Sequence, residues 1–175
     1  PGKVGPGGVG SADELSLWLR PDEGVVTGSG GVETWEDQSG NGNDATQTDD
    51  AEKPAYGSTT INGIDVVTFD GGDDFLQTSI ASLPSSSHAL LSVSSAGSAG
   101  SVFGIDNGSY SAVRTLEYTD GSTAEGFQDG SATGGISAGG LSILNSGFNG
   151  ATVDLRVNGA SAASTAAGTN ANGSV

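Results

Sequence analysis

The residues of this chain whose types and spacing could do chemistry are carboxylates and amides. The stretch "WEDQSGNGNDATQ" (35–47) puts Asp37, Ser39, Asn41, Asn43 and Asp44 into one glycine-broken segment. Within it, "DQSGNG" has the D-x-[DNS]-x-[DN]-G spacing of the first half of a calcium loop, with Asp37, Ser39 and Asn41 as oxygen donors before Gly42. Calcium takes six to eight oxygen ligands from carboxylates, amides and carbonyls. A second acidic group follows at "DGGDD", with Asp70, Asp73 and Asp74. Brought together by the fold, Asp37, Asn41, Asp70 and Asp73 would form a Ca²⁺ site. No Glu stands at the twelfth position of the first loop, and no helical pattern flanks it. The competing expectation needs no ion: Asp37, Ser39 and Asn43 close Asx and Ser turns with their own side chains.

Catalytic patterns are missing. His88 is the one histidine, and it opens an apolar run. "GISAG" (135–139) matches G-x-S-x-G around Ser137. A nucleophile elbow needs a strand-turn-helix, then an acid, then a histidine; here the histidine lies upstream. Glycoside hydrolysis needs two placed carboxylates, and "ETWED" (33–37) has the wrong spacing for an E-x-D-x-x-E strand. The chain contains no cysteine for thiolate chemistry. The glycines at 5, 7 and 10 mimic a dinucleotide fingerprint, but they lack the strand before and the helix after. The expectation is a protein that is not an enzyme. For stacking on sugar rings the chain offers Trp18, Trp35, Tyr56, Tyr110 and Tyr118.

Net charge narrows the partners. The 175 residues carry 21 acidic and 5 basic side chains, a net charge of −16. Such a surface repels nucleic acid and anionic lipid and attracts cations. It suits a saline setting, where salt screens the self-repulsion. No apolar run approaches the ~18 residues of a membrane span. The sequence opens at Pro1-Gly2 and contains no methionine, as expected of a processed or excerpted chain. A secreted, extracellular product at the cell surface is expected.

The elements that must position these residues read as strands. "TVDLRV" alternates with Val153, Leu155 and Val157 inward. "LSLWLR" sets Leu15, Leu17 and Leu19 opposite Ser16, Trp18 and Arg20. "HALLSV" groups Ala89, Leu91 and Val93, and "IDVVTF" and "RTLEY" read as two more strands. Between the runs, Asn-Gly recurs at 41–42, 62–63, 107–108, 149–150, 158–159 and 172–173, and Asp-Gly at 70–71, 120–121 and 129–130. These pairs tolerate the positive φ of hairpin turns. Many short strands so spaced predict an all-β antiparallel fold, a sandwich or a barrel. Residues 1–10 form a flexible Gly/Pro-rich arm, and 11–175 a single domain.

Three blocks carry a family resemblance. They are "GGVGSADELSLWLRPDEGV", "VETWEDQSGNGNDATQ" and "KPAYGSTTINGIDVVTFDGGDDFLQTS", in order over residues 8–78. "VFGIDNGSYSAVRTLEY" and "NSGFNGATVDLRVNGASAAST" extend the match to about residue 165. The chain resembles a LamG-like jelly roll of the concanavalin A-like lectin/glucanase superfamily, as found on secreted bacterial surface proteins. The resemblance implies two antiparallel sheets packed face to face, export, and a non-catalytic role in adhesion or glycan binding. It implies Ca²⁺ in some relatives. It assigns no glycan-binding residue. Against the family pattern, the sequence stops at "TNANGSV" before a closing strand, so the expectation is either a piece cut from a longer chain or a fold short of a strand. A sandwich short of a strand exposes edges that pair with another chain. Self-association into a filament or sheath is therefore the alternative expectation.

Overall fold

The computed structural model describes residues 4–80, 88–105, 114–118, 120, 122–128, 131–132, 136–137, 140–148, 152–160 and 163–166. Every strand pairing among them is antiparallel, and the protein is all-β, as the alternating runs predict. The chain forms two compact units, Pro1–Ala81 and Ser82–Val175.

The first unit opens with short 3₁₀ turns at Pro6–Gly8 and Ala12–Glu14. Ser11 caps the second, its hydroxyl accepting from the Asp13 N–H. Strands β1 (Val25–Thr27), β2 (Val32–Trp35) and β3 (Ala45–Thr46) form one sheet in that order. β4 (Ala55–Ile61) and β5 (Ile64–Thr68) form a hairpin. Its turn is Asn62-Gly63, with φ of 53° and 79°, the positive pair that a two-residue hairpin loop demands. Ala12, Val32 and Ala45 are buried. The turn before β2 lies tight against residues 50–54: a Cβ on Gly31 (φ 152°) would stand 2.4 Å from the Pro54 carbonyl oxygen.

The second unit holds two sheets. β6 (His88–Ser94), β12 (Ser142–Phe148), β13 (Thr152–Val157) and β14 (Ala163–Ala166) run in the order β14-β13-β12-β6. β7 (Gly100–Ile105), β8 (Arg114–Tyr118) and β9 (Thr123–Gln128) form the other sheet. Two short strands, β10 (Ser131–Ala132) and β11 (Ile136–Ser137), pair with β9. Ala124 of β9, Leu144 of β12 and Leu155 and Val157 of β13 make the core, with Leu90 and Val102 packed on it. One position shows how near the sheets approach. A Cβ on Gly126 of β9 would stand 2.7 Å from the Ser146 Oγ of β12.

Two strand expectations change. "LSLWLR" is not a strand: residues 15–19 carry no ladder, and both faces of the segment are half-buried. Side chains of the 37–44 loop replace the ladder, as described below. "HALLSV" is strand β6, but in the opposite phase. Leu90 faces the core while Leu91 and Val93 are each 62% exposed. Register explains it. Leu144, fully buried, pairs with Ser92, and directly opposed residues share a face; Leu90 and Ser92 therefore point inward together. "TVDLRV" keeps its expected phase, with Val153, Leu155 and Val157 buried. The Asn-Gly pairs at 107–108, 149–150 and 172–173 lie outside the described residues.

Candidate functional site

The 37–44 loop is built around one carboxylate. Asp37 Oδ1 accepts the backbone N–H groups of Trp18 and Ser39, both at 2.9 Å. Its Oδ2 accepts the Ser39 hydroxyl at 2.6 Å and the Asn43 N–H at 3.1 Å. Asp44 Oδ1 takes the Asp37 N–H at 2.8 Å. The Ser39 hydroxyl oxygen in turn accepts from the Asn41 N–H and side-chain amide. Burial disfavours the charged Asp37. The Ser39 hydroxyl and the N–H groups of Ser39, Trp18 and Asn43 outweigh it and hold the carboxyl below its ordinary value of 3.8.

From this hub the loop reaches residues 15–18. The Asn41 amide donates to the Leu15 carbonyl and the Asn43 amide to the Ser16 carbonyl, each at 2.7 Å. The Gln38 N–H donates to the Trp18 carbonyl at 2.8 Å. The polar side chains thus supply the bonds a neighbouring strand would have made. Asp37 has all its lone-pair directions filled by protein donors. The segment is a staple between two parts of the chain, which is the turn-forming alternative carried further than sequence could take it.

Of the four expected metal ligands, Asp70 and Asp73 come together, joined by Asp74: their ligand oxygens lie within 4.8 Å of one another. Asp37 does not join that group, and the Asn41 amide is bonded to the Leu15 carbonyl and the Ser39 hydroxyl. Calcium–oxygen bonds run about 2.3–2.6 Å, so three oxygens this close can share one ion. The loop is pre-shaped, with the Gly72 N–H donating to Asp70 Oδ1 and the Asp70 N–H to Asp74 Oδ2. The Gly72 bond is the main reason the Asp70 carboxyl sits below its ordinary value. Asp70 and Asp73 are exposed.

Beside the staple lies a polar depression of about 370 Å³. Asn43, Asp44, Thr46, Gln77, Thr78 and Ser79 line it. A reciprocal backbone pair between Thr46 and Gln77 fixes one wall, at 2.8 and 3.0 Å. The Thr78 hydroxyl donates to the Asn43 carbonyl and ties that wall to the staple. Sequence reasoning missed Thr46, Gln77, Thr78 and Ser79, because no motif joins residues thirty positions apart.

Three of the aromatics have other work. Trp35 Nε1 donates to the Arg20 carbonyl and the Tyr56 hydroxyl to the Pro21 carbonyl, both at 2.6 Å. The Arg20 guanidinium stands 5.3 Å from the Trp18 ring centre, a cation–π contact, and it is itself paired with Asp22 and Glu23. These three aromatics brace the 20–23 turn. Tyr110 lies outside the described residues.

The Lys53 ammonium is buried, its side chain 3% exposed. It donates to the Ser29 carbonyl at 2.9 Å, to Glu33 Oε1 at 3.0 Å and to Asp50 Oδ1. Its three protons meet three acceptors. Asp50 raises its pKa most; burial opposes this and Glu33 adds to it.

Ser137, centre of the G-x-S-x-G match, pairs with Thr123 in strand β11. No helix among the described residues is long and apolar enough to cross a membrane. No family model, curated protein or solved structure matches the chain. The functional argument therefore rests on the sites themselves.

Proposed function

We propose that this chain is a non-catalytic extracellular module that binds carbohydrate at the cell surface. One observation carries the reading: the 370 Å³ depression whose lining presents amides, hydroxyls and a carboxylate. Its size falls within the ~300–1,000 Å³ of small-molecule sites. Planar amide and carboxylate groups beside hydroxyls match the paired hydroxyls of a sugar in hydrogen-bonding capacity. The staple and the Thr46–Gln77 pair hold the lining in place before any ligand arrives, which lowers the entropy cost of binding. The resemblance of residues 8–165 to LamG-like jelly rolls supports the same reading. Export to a saline setting belongs to it too, since a net charge of −16 favours solubility where salt is high. A calcium ion held by Asp70, Asp73 and Asp74 completes the proposal as a structural cofactor.

The test is calorimetry against a panel of neutral and acidic oligosaccharides, with and without Ca²⁺. Exposed Thr46 and Gln77 can be truncated without touching the backbone pair between them. Thr46→Ala with Gln77→Ala is expected to weaken binding about tenfold, the worth of one or two hydrogen bonds, while leaving the melting temperature unchanged. Full binding by the double variant, or no binding to any glycan, removes the reading. For the ion, binding to the native state must raise the melting temperature; equal midpoints in Ca²⁺ and EDTA exclude a tight site.

A further inference from the structure

Charge narrows the class of sugar that the polar depression can take. Among the described residues of its lining, Asp44 alone is ionisable. Its Oδ1 accepts the Asp37 N–H at 2.8 Å. Its Oδ2 meets no protein donor among the described residues. Donors on the same wall are turned inward: the Asn43 amide donates to the Ser16 carbonyl, and the Thr78 hydroxyl to the Asn43 carbonyl. A charged acceptor is left open where two neutral groups have spent donors on the protein. No described cation of the first unit is free to offset it. Of the 21 acids, 15 fall in Pro1–Ala81, against three of the five bases. Lys3 lies outside the described residues. Arg20 is paired with Asp22 and Glu23, and Lys53 with Glu33 and Asp50. A surface of one sign concentrates ligands of the other.

We infer that the depression selects amino sugars, with a free ammonium group set against Asp44 Oδ2, and discriminates against uronic acids. This preference rests on the carbohydrate proposal and names the sugar class of that same site. An ammonium brings N–H donors and no acceptor. The open carboxylate oxygen answers it, and the Gln77 amide and Thr46 hydroxyl oxygens of the same lining are further acceptors. A uronate brings acceptors only, and it meets Asp44 as a like charge. Neutral sugars stand between the two. Unit charges about 4 Å apart in water change an affinity about fivefold. The amino sugar should therefore bind about fivefold more tightly than its neutral counterpart, and the uronate about fivefold more weakly.

Calorimetry of the full chain at about 0.1 M NaCl, where screening is moderate, tests the inference. The probes are disaccharides of the glucose, galactose and mannose series, each as the neutral sugar, the free-amine form and the uronate. The expected order is amine, neutral, uronate in whichever series binds. Asp44→Asn keeps an oxygen for the Asp37 N–H and removes the charge, so the fivefold steps should vanish. Gln77→Lys leaves Asp44 intact and brings an ammonium to the lining, so the uronate should overtake the amine. Circular dichroism of each variant separates lost selectivity from lost folding. Neutral sugars bound as tightly as their amines would overturn the inference and leave the carbohydrate proposal standing. An amine preference that survives in both folded variants would also overturn it, since attraction to the anionic surface as a whole would then suffice. Binding of no disaccharide in any form would remove the carbohydrate proposal itself, and this preference with it.

Discussion

Asp37 holds the 37–44 loop and residues 16–18 together through its two carboxylate oxygens. Replacing it with Ala leaves four donors without their acceptor. Hydrogen bonds to a charged group contribute about 1.5–3 kcal/mol each and are not additive, so we expect a loss of about 3–4 kcal/mol, read from urea unfolding. The acid response follows from the same bonds. A carboxyl held below 3.8 when folded stabilises the native state fully above that value. The contribution fades as pH falls through the folded pKa. The stability gap between wild type and Asp37→Asn should therefore narrow as pH drops from 5 toward 2. A gap that stays constant over that range would show that Asp37 is not ionised when folded. The local half of this network was readable from sequence, since Asp37 and Ser39 bond two residues ahead as turn-formers do. The bonds from Asn41 to Leu15 and from Asn43 to Ser16 were not, because a side-chain amide reaching 26 or 27 positions away leaves no local pattern.

At the scale of elements, the alternation of "TVDLRV" was sufficient because its apolar positions admit one phase only. "HALLSV" admits two, with Leu at both 90 and 91, and pairing with β12 chose between them. The side chains of residues 15–20 predict a strand, yet the backbone groups of Leu15, Ser16 and Trp18 are bonded largely by side chains of the 37–44 loop and not by a neighbouring strand. The ladder that defines a strand is a property of the neighbour and not of the segment. Packing between the two sheets of the second unit has its own test. Gly126→Ala would push a methyl into the Ser146 hydroxyl at 2.7 Å, and overpacking of this kind costs about 1–3 kcal/mol. Ser146→Ala removes the clashing oxygen. In the Gly126→Ala/Ser146→Ala double variant most of the loss should return, a coupling that a thermal-unfolding double-mutant cycle measures. Additive losses would mean that the sheets do not meet at this point.

For the whole molecule the dominant quantity is the net charge of −16. Self-repulsion destabilises a compact state, and salt shortens its reach from about 30 Å at 0.01 M to about 3 Å at 1 M. The melting temperature should rise with NaCl over that range, most steeply at its low end; a flat response would show that the charges are spaced too widely to repel. Against this anionic background the basic residues are few, and lysine occurs only at positions 3 and 53. Lys53 was unremarkable in the sequence, yet its ammonium is enclosed by the Ser29 carbonyl, Glu33 and Asp50. An amine-reactive reagent can reach that nitrogen only when the surrounding turn opens. The rate at which Lys53 is modified therefore counts the openings of the first unit, so the protein carries a chemical clock for its own breathing.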